Sequence, residues 1–319
     1  MNEAYVENMY YDKVADDIKY FIEKSVNGGP ARAQVVSCGA KSAKEIVIPP
    51  TVDGIPVTRI GHFAFSHTEN LESIVLPDTI ESIAEFAFEH SGIKHIKLPK
   101  DLISLGPYSL HDCDNLESIE FNENIRHIEM FAFNRCKSLK NIDIPQSLKF
   151  LHISAFHQCT SLERINIKSD DFKIMPGESG FGNVCPNLKT ITVNSKHPDY
   201  KIINGALYDY KFKELIRVPP KYSKKSFSFP KWVQNAERYA FNGVNGIEAV
   251  HISQPKIGGL TDSHLHLLNL SKIYCEPDSF VNDWAKDNRI NTEPLNSRMN
   301  DFLDSLVPDD KSKKDERYE

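Results

Sequence analysis

One short motif, repeated about every 23 residues between residues 60 and 168, limits what this chain can fold into more than any other feature. Its fullest copy runs from Ile128 to Pro145. Phe65, Phe88, Leu110, Phe133 and Phe156 hold one position of the motif, and Leu71, Ile93, Leu116, Leu139 and Leu162 hold another. A period of this length marks arrays in which each copy buries its apolar side against its neighbours. The unit of stability is then the stack, not the single copy. No 3.6- or 2.0-residue period persists long enough within a copy for a free-standing helix or hairpin. The expected fold is a repeat solenoid with parallel strands.

Each copy supplies a strand of the form L-x-x-I-x-I/L, as at 71–76 and 116–121. Pro77, Pro99 and Pro145 close several of these strands, because proline lacks the N–H that would continue a ladder. A second extended piece carries Ile60, Ile83, Leu105, Ile128 or Leu151, and an Ala-Phe corner follows it. Cys113, Cys136 and Cys159 recur at the same period, with Cys185 after an enlarged copy. Equivalent side chains of stacked coils lie about 4.8 Å apart and point the same way, a poor arrangement for a disulfide. The cysteines are expected to be reduced, buried spacers.

The flanks divide the chain further. Residues 1–19 form an N-terminal extension that the sequence leaves open between a short helix and loose chain. Residues 20–59 read as an N-terminal cap, with strands at 20–26 and 31–38 around Asn27-Gly28-Gly29-Pro30 and a turn at Asp53-Gly54. Leucine-rich copies occupy 60–193, the last one stretched by a glycine-rich bend at 176–180. An insertion at 194–225 contains Asn204-Gly205, the strongest short-range hairpin signal, and a third strand near 215–220. Final repeats and a C-terminal cap fill 226–290, where a helix at 279–288 turns Trp284 and Ala285 inward. Residues 291–319 form a charged tail, expected to be disordered at 308–319, with an amphipathic stretch at 299–307.

Composition narrows the function. With 40% hydrophobic and 26% charged residues and a net charge of −6, the chain has ordinary soluble composition. Its basic residues are scattered, so nucleic acid is not expected as a partner. No apolar run approaches the roughly 20 residues of a membrane span. The N-terminus lacks the basic region and apolar core of a secretory signal, which gives a cytoplasmic expectation, or a surface location only if a leader has been removed. P-loop, H-E-x-x-H and G-x-S-x-G motifs are missing. Gly177-Glu178-Ser179-Gly180 falls one residue short of a nucleophile elbow. Gly180-Phe181-Gly182 lacks the third glycine of a dinucleotide site. His264 and His266 share one face of a strand without a third ligand nearby in sequence, and the histidines of the repeats fall on no shared ladder. Neither catalysis, a metal nor a cofactor is expected.

The segments Ile60-Gly61-His62-Phe63-Ala64-Phe65 and Asn134-Arg135-Cys136-Lys137-Ser138-Leu139 resemble the repeats of the BspA-like leucine-rich-repeat family. The lead-in at 48–57, the Asn204-Gly205 insertion and the cap at 279–290 extend the likeness over roughly residues 20–290. Departures fall at Pro107 and Tyr108-Ser109-Leu110, and at Glu129 and His152, which stand where the family carries glycine. The resemblance implies a right-handed, β-rich leucine-rich-repeat solenoid. Many family members look like surface proteins that bind host or matrix proteins, so a cell-surface adhesin or carbohydrate binder is the alternative reading.

In L-x-x-I-x-I the apolar residues face inward and those between them face solvent. Two outward ladders follow. One runs Ser73, His95, Ser118, Asn141, Arg164, Thr190, and the other Val75, Lys97, Glu120, Asp143, Asn166, Thr192. Glu120 and Asp143 are expected neighbours on that face. Polar and mixed in charge, it suits a wet, reversible protein contact, and a non-catalytic protein–protein interaction is the expected function. The corner aromatics Phe63, Phe86, Tyr108, Phe131 and Tyr239 are expected to pack between adjacent turns. If exposed, they would form an apolar stripe marking a partner site. Phe150 is the odd member of a row otherwise made of Arg59, Ser82, Ser104 and His127.

Overall fold

A computed structural model describes residues 11–15, 17–23, 29–175, 181, 183–261, 263 and 265–306. The chain divides into two units, Met1–Cys185 and Pro186–Glu319.

The first unit opens with an antiparallel meander of β1 (Tyr11–Ala15), β2 (Ile18–Glu23) and β3 (Arg32–Cys38). Residues 11–15 are thus a strand, an outcome the sequence did not single out. Ile18, Tyr20 and Ile22 alternate into the core with a period of two, so the apolar pattern alone fixes the register of β2. After β4 (Glu45–Val47), β5 (Thr51–Val52) and β6 (Ile55–Ile60) form a hairpin about Asp53-Gly54. Both turn residues have positive φ (50° and 78°), the primed-turn geometry that Asp-Gly adopts at little cost.

From there one coil follows another. β7 (Ser73–Val75), β8 (Ser82–Ile83), β9 (His95–Lys97), β10 (Ser104–Leu105), β11 (Ser118–Glu120) and β12 (His127–Ile128) make the first three. β13 (Asn141–Ile144), β14 (Phe150–His152), β15 (Arg164–Ile167) and β16 (Lys173–Met175) continue the series. Successive strands alternate between two parallel sheets. The even strands extend the N-terminal meander in one unbroken order, β1-β2-β3-β6-β8-β10-β12-β14-β16. The odd strands pair as β4-β7-β9-β11, with β13 and β15 forming a separate pair. Both expected outward ladders are therefore interrupted between β11 and β13, one after Ser118 and the other after Glu120. The split falls where Phe121 replaces the leucine or isoleucine buried in other coils at Leu76, Leu98 and Ile144. Its larger ring stays half-buried, and Ile119 beside it is only partly covered.

Between the sheets, Phe65, Phe88, Phe133 and Phe156 are fully or almost fully buried. Phe65 stacks on Phe88 with centroids 5.3 Å apart, and Phe133 on Phe156 at 5.5 Å. The cysteine row is buried and free of disulfides. Each thiol reaches a carbonyl of the preceding coil: Cys113 to Phe88, Cys136 to Leu110 and Cys159 to Phe133, at 3.0, 3.2 and 3.0 Å. Burial pushes these thiols well above the ordinary cysteine range, which keeps them protonated donors.

Corners are closed by left-handed residues. Phe63, Phe86, Tyr108 and Phe131 hold the first such position, and His67, His90, Asp112, Arg135 and Gln158 the second, all with φ between 50° and 60°. This conformation turns the backbone N–H along the stack. Tyr108 donates to the Met130 carbonyl (3.0 Å), His90 to His111 (3.0 Å) and Arg135 to His157 (2.9 Å). Corner amides that would otherwise be orphaned thus stitch coil to coil.

In the second unit, β17 (Thr190–Val193) precedes an antiparallel meander of β18 (Tyr200–Ile203), β19 (Ala206–Asp209) and β20 (Glu214–Arg217). Asn204-Gly205 makes the expected hairpin turn, with φ of 52° and 85°. Coils resume with β21 (Ser226–Ser228), β22 (Asn235–Ala236), β23 (Ala249–His251) and β24 (Lys272–Tyr274). Helix α1 (Phe280–Asp287) starts at Ser279, whose Oγ accepts the Asn282 N–H at 3.1 Å, and it buries Val281, Trp284 and Ala285. β25 (Thr292–Glu293) pairs with β24. Helix α2 (Ser297–Ser305) occupies most of the expected amphipathic stretch, and Trp232 Nε1 donates to the Leu306 carbonyl at 2.9 Å. The glycine-rich bend at 176–180, His264, Asn27-Gly28 and the tail at 307–319 lie outside the described residues.

Candidate functional site

Burying Ile74, Ile96, Ile142 and Ile165 forces the residues on either side of each outward. All twelve expected positions face solvent as read from the repeat: Ser73, Arg164 and Asn166 are half-buried and the other nine exposed. Their register is one residue per strand. Ser73 pairs with His95 and His95 with Ser118, while Glu120 pairs with Lys97. Beyond the split, Asn141 pairs with Arg164 and Asp143 with Asn166. Glu120 and Asp143 are not strand neighbours; each is paired with a residue of its own sheet. Thr190 and Thr192 lie on β17 of the second unit, both exposed.

The outward side chains cross-brace one another. His95 Nδ1 lies 2.8 Å from Ser118 Oγ, and Lys97 Nζ 2.8 Å from Glu120 Oε1. Arg164 grips Asp143 through two parallel bonds of 2.8 and 2.9 Å, and Asn166 Nδ2 donates to the same carboxylate at 2.7 Å. These bonds, the Arg164 guanidinium first, hold Asp143 down at about 2. The face therefore presents charges already balanced within each pair. A partner meeting it has little net charge to neutralise and exchanges polar contacts for polar contacts, which is the physics of a reversible interface.

Two features of this face escaped the sequence reading. β4 adds a further rung, with Glu45 opposite Ser73 and Val47 opposite Val75. Val47 and Val75, 67% and 57% exposed, make a small apolar corner on an otherwise polar sheet. This rung lies within the N-terminal cap, ahead of the first full copy of the motif. Beside the strands, a second row reads Lys44, Glu72, Lys94, Glu117, Lys140, Glu163, alternating in sign from coil to coil. Glu72 sits between Lys44 at 3.1 Å and Lys94 at 2.6 Å. Hydrogen bonds from the two lysines, Lys94 first, hold the Glu72 carboxyl below its ordinary range. The signal was present in sequence as a charge alternation at the repeat period.

Corner residues behave differently from expectation. Phe63 is 50% exposed, and Phe86, Tyr108 and Phe131 are half-buried; the rings stack on one another from coil to coil, as expected, but at the surface of the coil and not in its core. Left-handed backbone at each position swings the side chain out of the coil. The histidines also share a row after all, since His67 and His90 are one period apart and stack at 4.9 Å. His90 and His111 both approach the buried Asp112 carboxylate, at 3.6 and 3.1 Å, and Arg135 holds it from the other side at 3.3 Å. Among the described residues no group of three or more His, Cys, Asp or Glu is placed to hold a metal ion. Phe150 is 36% exposed and stacks on His127 at 4.9 Å, on the outer side of the longer sheet.

The second unit holds a carboxyl raised by burial. Burial first, then the charges of Glu237 and Asp209, raise Glu214 from its ordinary 4.5 to about 7. A raised carboxyl binds a proton in the folded chain that the unfolded chain releases, so this group lowers stability progressively from about pH 4.5 to 7. Glu214→Gln removes that loss. After discounting for its partial exposure, the variant gains roughly 1–2 kcal/mol over wild type at pH 8 and nothing at pH 4, measured by urea unfolding.

The repeat model for the BspA type leucine rich repeat region matches residues 39–152 and 82–211 in six copies, more than half of the chain. The chain belongs to the BspA-type leucine-rich-repeat family. Comparison with curated proteins gives no match. Among solved structures, the BspA-type chain is similar to the pneumococcal vaccine antigen PcpA, at 22% identity and a TM-score of 0.65 over 84% of this chain and 67% of that one. It is also similar to a leucine rich cell surface protein from Faecalibacterium prausnitzii A2-165, at 17% identity and a TM-score of 0.57 over 93% and 98% of the two chains. At these identities the likeness establishes the fold. No helix among the described residues is long and apolar enough to cross a membrane.

Proposed function

We propose that this BspA-type protein is a non-catalytic interaction module that binds a protein partner through the outward face of its odd-numbered strands. The observation that carries the reading is the pair of in-register polar ladders, Ser73-His95-Ser118 with Lys97-Glu120 and Asn141-Arg164 with Asp143-Asn166. Solenoids use such stacked, evenly spaced side chains as extended contact surfaces. The balanced charge of the face favours a partner of mixed polarity over nucleic acid.

Photo-crosslinking tests the choice of face. A photoreactive residue at Asn141 or Ser118 is expected to capture a discrete partner in the native cell, and one at Ser82 or Lys173 on the longer sheet is not. Capture only from the longer sheet would move the site there. The second reading is surface display, favoured by the full-length likeness to the Faecalibacterium cell surface protein. Protease shaving of intact cells decides it: loss of the native protein supports display, and full protection supports the cytoplasmic reading.

A further inference from the structure

Helix α2 sits on the second unit as a ligand sits in a groove. Leu295, Met299, Leu303 and Leu306 follow one another at helical spacing and make one apolar stripe, yet only Leu303 and Leu306 are buried. Phe302 is left 47% exposed. Asn296 caps the first turn, its Oδ1 accepting the Met299 N–H at 2.9 Å. The charges run against the helix dipole. The first turn has no acidic residue, the last has no basic one, and Asp301 and Asp304 lie toward the negative C-terminal end. A helix this short with this charge order does not hold by itself, so docking is what forms α2.

The groove is a row of turns from successive coils. Lys231 Nζ lies 2.7 Å from Asp304 Oδ1, and Trp232 Nε1 donates to the Leu306 carbonyl at 2.9 Å. Asn300 borders a cleft shared with Ser253, Gln254 and Pro255 after β23 and with Glu276 after β24. Helix α2 therefore runs back along the flank of the coils, whereas α1 buries Val281, Trp284 and Ala285 in the core. Nor does α2 fill its place. The cleft stays open, and Gln254 Oε1, on a residue only 9% exposed, has no hydrogen-bond partner.

Trp232 sets these turns apart. It immediately precedes the buried Val233, whose N–H bonds to the Pro230 carbonyl at 3.0 Å. The first unit makes the same turn with Thr79 before Ile80, Asp101 before Leu102 and Ser147 before Leu148, bonded to the carbonyls of Pro77, Pro99 and Pro145. Polar residues of modest size thus suffice for the turn, and among the described residues the first unit has no helix. Where α2 docks, the chain places an indole instead, held edge-on by Tyr208 at 5.4 Å and Tyr210 at 5.0 Å. A rigid, half-buried ring whose N–H meets a carbonyl of the docked segment has the character of an interface anchor.

We propose that the turns bearing Lys231, Trp232 and Gln254 form a groove for amphipathic helices, that α2 is its built-in occupant, and that a partner's helix exchanges for it. The groove fixes the partner's chemistry: an apolar stripe at helical spacing, with a carboxylate in the place of Asp304 to meet Lys231. Tethering gives α2 an effective concentration of about millimolar, which holds the groove closed. Two leucines, one hydrogen bond and one exposed ion pair leave it replaceable.

The probe is a labelled synthetic peptide of residues 294–306, titrated into the full chain by fluorescence anisotropy. Leu303→Asp, which releases α2, is expected to bind the peptide at least about tenfold tighter than wild type while its melting temperature stays within a few degrees. Adding Lys231→Glu is expected to weaken that binding by about threefold or more, and a peptide carrying Asp304→Lys to recover it. In wild type, amide exchange within α2 is expected to run at least about 100-fold faster than within α1. Peptide binding that is equal in wild type and Leu303→Asp, or absent from a folded Leu303→Asp chain, overturns the proposal. So does a melting temperature lowered by more than about 10 °C, or α2 amides as protected as those of α1, since either makes α2 a fixed part of the core. Binding indifferent to Lys231→Glu puts the peptide outside the groove and overturns it as well.

Discussion

Phe133→Ala is expected to lower the unfolding free energy by roughly 3–5 kcal/mol, the largest effect of any single substitution considered. The ring is fully buried and stacks on Phe156 at 5.5 Å, with Phe121 against its edge at 6.3 Å. Truncation removes its transfer free energy and leaves a cavity that two flanking coils cannot close, since the buried Cys136 and Cys159 are already held against its backbone carbonyl. Each coil is stable only through its neighbours, so the loss spreads along the first unit. Urea unfolding of wild type and variant measures it. A change below about 1 kcal/mol would mean that the corner phenylalanine is not a core residue.

The contrast with Phe131, two residues earlier, shows how far the sequence could be read. Both positions recur at the repeat period and both are aromatic, so periodicity treats them alike. What separates them is the backbone: Phe131 has a φ of 55° and is turned outward. No apolar pattern encodes the sign of φ when an aromatic stands where glycine or asparagine would announce it. The burial of Phe65, Phe88 and Phe156 and of the cysteine row was legible because single coils cannot bury their own apolar side. The Asn204-Gly205 hairpin and the α1 cap with inward Trp284 were legible from local turn and capping chemistry. Sheet continuity was not. The break between β11 and β13 coincides with the half-buried Phe121, and how deeply such a ring seats is a packing outcome. The candidate face followed directly from strand alternation, but its internal bonds did not. Glu120 and Asp143 looked like neighbours on one ladder, whereas Lys97 and Arg164 claim them separately.

Those internal bonds make a clean second prediction possible. Lys97→Glu with Glu120→Lys, together with Asp143→Lys and Arg164→Glu, exchanges the members of each pair. The opposite charges remain next to each other, and the forked Arg164–Asp143 bonds and the Asn166–Asp143 bond that are lost lie on the solvent face, so the melting temperature should move little. What changes is the pattern shown to a partner. Every rung presents the opposite sign at its old place, and a partner that evolved complementary groups now meets like charges at four points. Like-charge juxtaposition at an interface costs several kcal/mol, so affinity for the partner captured through Asn141 is expected to fall by about 100-fold or more. Substitution of only one member of a pair would confuse lost binding with a broken brace.

The most direct test of the interaction reading is therefore an affinity titration of that captured partner against wild type and the exchanged-pair variant, at equal ionic strength and with folding checked by thermal melting. The account predicts an unchanged melt and binding weakened by about 100-fold or more. Equal affinity for the two proteins would contradict it and remove the odd-strand face as the binding surface.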